Sequence, residues 1–339
     1  IAVAGLIKSW GDVEYQHSIS KHDAAAVQRL KDAGAIILGK TNVSHMLKDW
    51  QTTNEVYGTT NNPRNVNLTP GGSSGGSAAA LSAGFISLEL GTDMGGSLRV
   101  PAHFCGVFAH RPSFNAIPMR GTEPPGVMPA KDNMNDFAVV GPMARSAEDL
   151  ALAFDILAQP DDTSGREVRL KRFPDAPLKR LRDYRILILD THPLCPTGVE
   201  VRNAIENLYT KLTGAGVNVC RNTNTLPDLN KIAHTYAMLF TAFFSESMSP
   251  SAYKQAEQTA FERQRDGSYL ASKLKGYTMS HRDWLIAMRT RMELRQKWRQ
   301  LYAHYDVIIA PVSPTSAFQH NHSGILTRIS SFYIYDYAA

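Results

Sequence analysis

Two glycine-rich turns that carry serines are the residues of this sequence best suited to chemistry. The first is Gly71–Gly76 (GGSSGG) and the second is Met94–Ser97 (MGGS). A serine hydroxyl attacks only after a base takes its proton, and acyl transfer also needs hydrogen-bond donors for the oxyanion. Because glycines lack side chains, their N–H groups can converge on one point at little steric cost. The two turns together predict acyl transfer by a serine nucleophile.

The second turn follows a predicted strand, residues 86–90. Ser97 would then lie where a strand ends and a helix could begin, an edge at which active sites of open α/β sheets are found. Asp93 and Arg99 flank this turn with opposite charges, and we expect them to hold the loop by hydrogen bonds rather than to react. The first turn leads directly into a predicted helix of small residues, Ala78–Ala83.

The remaining pattern alternates between strands and helices. Residues 22–41 predict a helix with Asp23 as its N-cap, followed by a strand at Ala35–Leu38 buried on both faces. Ser146–Ala158 predicts an amphipathic helix capped by Ser146. Further strands are predicted at Tyr184–Asp190, Val217–Cys220 and Asp306–Val312, with helical patterns at 199–215, 229–248 and 281–304. The alternation predicts an α/β fold with a mixed β-sheet core covered by helices on both faces.

Composition argues against several classes of protein. The 339 residues carry 36 basic and 31 acidic side chains, a net charge of +5. The densest basic stretch, Gly165–Arg182, also contains acids and prolines, and we interpret it as a solvated linker rather than a site for an anionic partner. Nucleic-acid binding is therefore not expected. No apolar run approaches the roughly 18 residues of a membrane span, and the three dispersed cysteines fit a reducing cytoplasm.

One segment matches the consensus of a nucleotide-binding phosphate loop but lacks the strand that should precede it. Gly34–Thr41 (GAIILGKT) fits the phosphate-loop spelling. A phosphate loop follows a strand and turns its N–H groups towards phosphate oxygens. Here the apolar residues between Gly34 and Lys40 are themselves predicted to form a strand. We therefore expect no nucleotide or other cofactor, and the cysteines and histidines lack the spacing of a metal site.

The order and spacing of the two serine turns resemble the amidase-signature family of serine hydrolases, bacterial amidases among them. Gly91–Ala102 (GTDMGGSLRVPA) fills the second motif of that family. The resemblance is strongest over residues 3–160 and weaker to residue 318. It implies a single amidase-signature domain over 1–339, with both serines in a signature core at 1–160 and a second part at 161–339. Supporting segments are Ala33–Asn42, Asn62-Pro63, Phe104–Gly106 and Val140–Ala144.

The resemblance also implies a mechanism, amide hydrolysis through an acyl-enzyme that releases ammonia or an amine. Ser97 would attack the carbonyl, and Ser73 would pass a proton between Ser97 and a lysine. Ser74 would support this network, and the peptide bond between Gly72 and Ser73 would be cis. The oxyanion hole would comprise the backbone N–H groups of Met94, Gly95, Gly96 and Ser97.

The family's lysine has no counterpart in this chain, because its position falls just before Ile1. Lys8, Lys40 and Lys48 do not match that position. The tail after Gly324 also differs from the family continuation, so the chain is expected to be truncated at both ends. A catalytically silent fragment or pseudoenzyme is therefore the alternative to an active amidase.

The expected partner is a small-molecule amide, with a homodimer possible. A glutaminase subunit of a tRNA amidotransferase is disfavoured, because Val43–Leu47 (VSHML) lacks the acidic Asp-Glu-Phe pattern of those subunits.

Overall fold

Strands and helices alternate through residues 1–127, 135–158, 180–263 and 265–320, the part of the chain that the computed structural model describes. Contacts between Cα atoms divide these residues into two units. The first unit comprises the described residues up to 158 together with 316–320. The second comprises those between 180 and 315.

The first unit contains both serine turns. It includes short 3-10 helices at Val13–Tyr15 and His45–Leu47. Its other elements are α1 (Ala25–Asp32), β1 (Thr53–Asn54), β2 (Gly58–Thr59), α2 (Gly75–Ser82), β3 (Leu88–Asp93), α3 (Arg99–Cys105), β4 (Phe108–Ala109), β5 (Val139–Ala144) and α4 (Ala147–Leu157).

A three-stranded antiparallel sheet in the order β3-β5-β4 organises this unit. Val140 of β5 packs in one buried cluster with Leu30 of α1 and Leu157 of α4. Met143 packs in another cluster with Leu81 of α2 and Ala102 of α3. Because side chains along a strand alternate between faces, these two positions place helices on both faces of the sheet. The end of β3, which leads into the second serine turn, is therefore held between packed layers.

The second unit contains a three-stranded parallel sheet in the order β7-β6-β8. Parallel strands need long crossover connections, and helices supply them here. Short 3-10 helices lie at Leu181–Asp183 and Ser245–Ser247. The other elements are β6 (Arg185–Ile188), α5 (Val199–Gly214), β7 (Asn218–Cys220), α6 (Leu229–Ala242), α7 (Pro250–Glu262), α8 (Tyr269–Tyr277), α9 (His281–Tyr302) and β8 (Val307–Ile309).

The α/β class predicted from the sequence is confirmed, and two local predictions are wrong. Asp23 does not cap α1, whose N-cap is Ala24; its carboxylate instead accepts from the Ala4 N–H at 2.8 Å and from Lys31 Nζ at 2.7 Å. Residues 35–38 are in no strand, and Ile36 and Leu38 are 84% and 78% exposed. A strand forms only where a neighbour offers a ladder, so the apolar run alone did not decide the outcome.

The cap of α4 is confirmed and yields a stability prediction. The Ser146 hydroxyl accepts from the Asp149 N–H at 3.1 Å. We expect Ser146→Ala to lower the free energy of unfolding by about 1 kcal/mol, because one N–H at the start of the helix loses its acceptor. Urea unfolding measures the change, with Ser87→Ala, at an exposed serine, as the control. Equal midpoints for the two variants would refute the capping role.

Candidate active site

The two serine turns are in direct contact. The Ser74 N–H donates to the Ser97 carbonyl at 3.2 Å, and the Ser74 hydroxyl donates to the Thr92 carbonyl at 3.5 Å. Ser74 therefore joins the first turn both to the second turn and to the strand that precedes it. The contact places the two segments that carry Ser73 and Ser97 side by side.

Ser73 and Ser97 differ in their access to solvent. Ser73 is 2% exposed and follows a cis peptide bond at Gly72, as the resemblance implied. Ser97 is only partly buried and lies between the end of β3 and the start of α3. No hydrogen bond between the two hydroxyls occurs among the described residues. Ser97 is thus the more accessible of the two serines.

Asp93 is the electrostatic centre of the second turn. Its side chain is fully buried and accepts from the N–H groups of Gly96 at 2.9 Å and Leu98 at 3.0 Å. The Arg99 guanidinium donates to it at 2.8 and 3.0 Å, and Arg111 Nε lies 3.5 Å away. Burial alone would raise the pKa of this carboxyl, but the two arginines and the N–H groups hold it well below its usual range. The ionised carboxylate fixes the path of the turn.

Asp93 accepts a hydrogen bond from one N–H group that the sequence assigned to the oxyanion hole, so this group is not free to bind an oxyanion. The sequence predicted Gly96 as one donor, yet its N–H already has an acceptor in Asp93 Oδ1. The N–H groups of Met94, Gly95 and Ser97 have no acceptor among the described residues. These three remain the candidate donors beside the Ser97 hydroxyl.

Asp49 and Trp50 border both turns and were missed by the sequence analysis. Trp50 is 1% exposed, and its indole N–H donates to the Gly95 carbonyl at 3.0 Å. Gly96 has φ of 98° and sits so close to the indole that a Cβ there would lie 3.2 Å from the ring. A Cβ on Gly72 would lie 2.3 Å from the Asp49 carbonyl oxygen. These residues belong to a polar loop without a motif, so no local signal marked them.

None of the three lysines considered from the sequence contacts the serines. Lys40 Nζ donates to the Ile7 carbonyl at 2.6 Å, and burial, together with nearby Lys8, lowers its pKa to about 8. Lys8 lies 3.9 Å from Glu123, and Lys48 is exposed. A proton acceptor for the serine pair is therefore not supplied by these side chains.

Outside the serine turns, the described residues form a cavity but contain neither a metal-binding cluster nor a membrane-spanning helix. A cavity of about 360 Å³ lies in the second unit beside Arg185, Cys220 and His304, but Arg185 is already paired with Asp306 at 3.0 Å. The described part of the chain has no group of three or more His, Cys, Asp or Glu side chains arranged to hold a metal ion. Among its helices, none has the length and apolar character to cross a membrane.

The fold and the paired serine turns define a family of hydrolases. Residues 1–339 match the sequence model of the family described as Amidase. The chain belongs to this amidase family, whose members include amidase-signature hydrolases.

Particular relatives show where the chain stands within that family. It is 29% identical to a glutamyl-tRNA(Gln) amidotransferase subunit of Koribacter versatilis over 343 residues, covering 94% of this chain and 68% of that protein. It is 32% identical to the AtzE subunit of 1-carboxybiuret hydrolase from Pseudomonas sp. strain ADP over 300 residues, covering 88% of this chain and 61% of that protein. The chain thus spans about two thirds of the length of these relatives.

A solved structure agrees with the sequence matches. The crystal structure of a glutamyl-tRNA(Gln) amidotransferase subunit from Thermotoga maritima superposes with a TM-score of 0.75 at 22% identity, covering all of this chain and 72% of the other. This comparison supports the fold.

Proposed function

We propose that this protein hydrolyses carboxamides through an acyl-enzyme formed on Ser97. The observation that carries the proposal is a partly exposed Ser97 beside backbone N–H groups of Met94 and Gly95 that have no acceptor among the described residues. Such preorganised donors stabilise the oxyanion of a tetrahedral intermediate. The contact between the two turns supports the proposal further, because the neighbouring segment carries a second hydroxyl, that of Ser73.

The proposed reaction has two steps. Ser97 Oγ attacks the amide carbon, its proton passes towards Ser73, and the C–N bond breaks as the leaving nitrogen takes a proton and departs as ammonia or an amine. Water then attacks the resulting ester, which releases a carboxylate and restores the Ser97 hydroxyl. The N–H groups of Met94, Gly95 and Ser97 would receive the negative oxygen in both steps.

The base that finally takes the proton from Ser73 is not supplied by Lys8, Lys40 or Lys48, since none of these lysines contacts the serines. The resemblance assigns it to a lysine, which acts as a base when burial keeps it neutral. Lys40 has the lowered pKa, but its Nζ is engaged with the Ile7 carbonyl. A chain that keeps the serine turns without a base would retain the fold without turnover.

Reaction with a fluorophosphonate separates the active enzyme from a silent family member. The reagent forms a covalent bond only with an activated serine, and intact mass followed by peptide mapping locates it. We expect one adduct, on Ser97. A folded sample that gains no mass would overturn the proposed activity for this chain.

Ser73 is expected to affect the rate of labelling rather than its location. Loss of a proton-transfer group costs typically 10²–10⁴-fold, so we expect Ser73→Ala to label at least about 100-fold more slowly. Ser82→Ala is the matched control, because this serine of α2 donates to the Cys105 carbonyl at 2.9 Å, away from the nucleophile. Equal labelling rates in the two variants would remove Ser73 from the mechanism.

A second candidate function is the glutaminase subunit of an amidotransferase, favoured by the similarity to subunits of that name. It predicts glutamine-dependent release of ammonia that increases when a partner subunit is bound. Hydrolysis of simple amides at the same rate with and without candidate subunits would favour the independent amidase.

A further inference from the structure

The solvent-facing side of α9 carries two apolar side chains between two arginines. Leu285 and Ile286 are 49% and 52% exposed, and Arg282 and Arg289 are also exposed. Because residues three, four and seven apart lie on one side of a helix, these four side chains form a single face, which we call the basic face. Neither arginine has a hydrogen bond or an ion pair among the described residues. An exposed apolar centre with a charged rim is the arrangement of a protein–protein contact.

The solvent-facing side of α4 has the opposite charge around a similar apolar centre. Leu152 is 63% exposed, and Glu148 and Asp155 are exposed on the same side of the helix, four residues before it and three residues after it. In the described parts of the chain, neither carboxylate is paired with a cation. Ala153 and Leu157 are buried on the other side of α4. Glu148, Leu152 and Asp155 therefore form an acidic face that the core does not use.

The charges on the two faces have the same spacing. Arg282 and Arg289 are seven residues apart, as are Glu148 and Asp155, and seven residues span about 10.5 Å of helix. When two such helices lie side by side, each arginine can meet a carboxylate while the apolar centres pack against each other. Apolar contacts flanked by opposite charges select the partner and the register of paired helices.

We propose that the basic face of α9 binds the acidic face of α4 on a second copy of this protein. A second copy is favoured over other partners because both sides of the contact, matched in charge, spacing and apolar centre, occur in this one chain. Exposed ion pairs add little affinity, so the apolar centres would supply the attraction and the charges would decide which faces meet. None of these residues belongs to the serine turns, so the inference does not depend on the proposed hydrolysis.

Charge reversal on each helix tests the contact by sedimentation velocity at low salt. The α9 variant carries Arg282→Glu and Arg289→Glu, and the α4 variant carries Glu148→Lys and Asp155→Lys. We expect wild type to self-associate at protein concentrations up to about 100 µM. Each variant alone should have a dissociation constant raised at least about tenfold, because like charges then face each other. Added salt should weaken the wild-type association, since these charges are exposed.

An equimolar mixture of the two variants is the decisive measurement. The reversed α9 of one variant can face the reversed α4 of the other, and the unchanged α4 and α9 can face each other as in wild type. Association in the mixture should therefore return to near the wild-type level. A single chain that carries all four substitutions should self-associate as well, because its two faces again have opposite charges.

The controls make equal changes of charge on other helices. Arg202→Glu with Lys211→Glu on α5, and Glu257→Lys with Glu262→Lys on α7, alter exposed residues and should leave self-association unchanged. Circular dichroism checks that every variant keeps its fold. Wild-type protein that stays monomeric up to the highest concentration would overturn the proposal. So would association that the reversed variants retain, or that the mixture fails to restore. Loss of association in the α9 variant alone would place its counterpart on a surface other than α4, which also contradicts the proposal.

Discussion

Replacing Ser97 by alanine is expected to abolish fluorophosphonate labelling and to lower amide turnover on the order of 10⁶-fold, the scale seen when a serine hydrolase loses its nucleophile. Ser97 is partly exposed and follows the N–H groups of Met94 and Gly95, which have no acceptor among the described residues. Ser73 is 2% exposed, and Ser74 donates its hydroxyl to the Thr92 carbonyl. Neither can simply substitute as the attacking group.

The measurement is intact mass after labelling, paired with hydrolysis rates. The matched control is Ser87→Ala, at an exposed serine just before β3, which should label like wild type. Near-ultraviolet and far-ultraviolet circular dichroism check that the Ser97→Ala variant keeps its fold. An adduct that forms at the wild-type rate in Ser97→Ala would show that a different residue is the nucleophile.

Asp93→Asn is expected to lower the free energy of unfolding by about 3–5 kcal/mol, the cost of removing one partner from a buried ion pair. The carboxylate is fully buried, and Arg111, 7% exposed, would lose its carboxylate partner and keep its charge beside the Phe137 carbonyl, to which its Nη2 donates at 2.9 Å. The amide of asparagine also offers one acceptor oxygen where the carboxylate offers two, so N–H groups of the turn would lose bonds. Because Arg99 is 23% exposed, water can relieve part of its loss, which favours the lower end of the range.

Urea unfolding of Asp93→Asn against Asp183→Asn measures this effect. Asp183 forms an ion pair with Arg180 at 3.2 Å that is largely exposed, and such pairs contribute less than about 1 kcal/mol. Equal destabilisation by the two substitutions would refute the central role of Asp93. The pH dependence has a defined sign: the folded-state pKa of Asp93 is lowered, so its contribution is present above the unfolded value of roughly 3.9 and is lost as the pH falls below it.

Local features were predictable where the relevant partners lie close in sequence. The Ser146 cap needs only Asp149, three residues away, and the predicted helix became α4 with the cap in place. The predicted strand at 86–90 was displaced by only a few residues, and β3 runs from Leu88 to Asp93. Boundaries shift in this way because ladder contacts with β5, rather than the local pattern, set the ends of the strand.

Features that depend on distant partners were not predictable. The apolar run at 35–38 has the composition of a strand, but a strand needs a neighbour, and Ile36 and Leu38 remain exposed. Asp23 has the chemistry of an N-cap, yet Lys31 and the Ala4 N–H compete successfully for its carboxylate. In both cases several local outcomes are close in energy, and tertiary contacts choose between them.

The amino-acid order was sufficient to establish the family of this protein and the positions of its two serine turns, because those turns are contiguous motifs whose glycines and serines act through neighbouring backbone. The groups that surround Ser97 were settled by folding. In the folded chain the Gly96 N–H donates to Asp93. Asp49 and Trp50, from a loop without a recognisable motif, pack against the two turns. Hydrogen-bond acceptors, buried charges and close backbone contacts are assigned in this way because packing joins residues that are far apart along the chain.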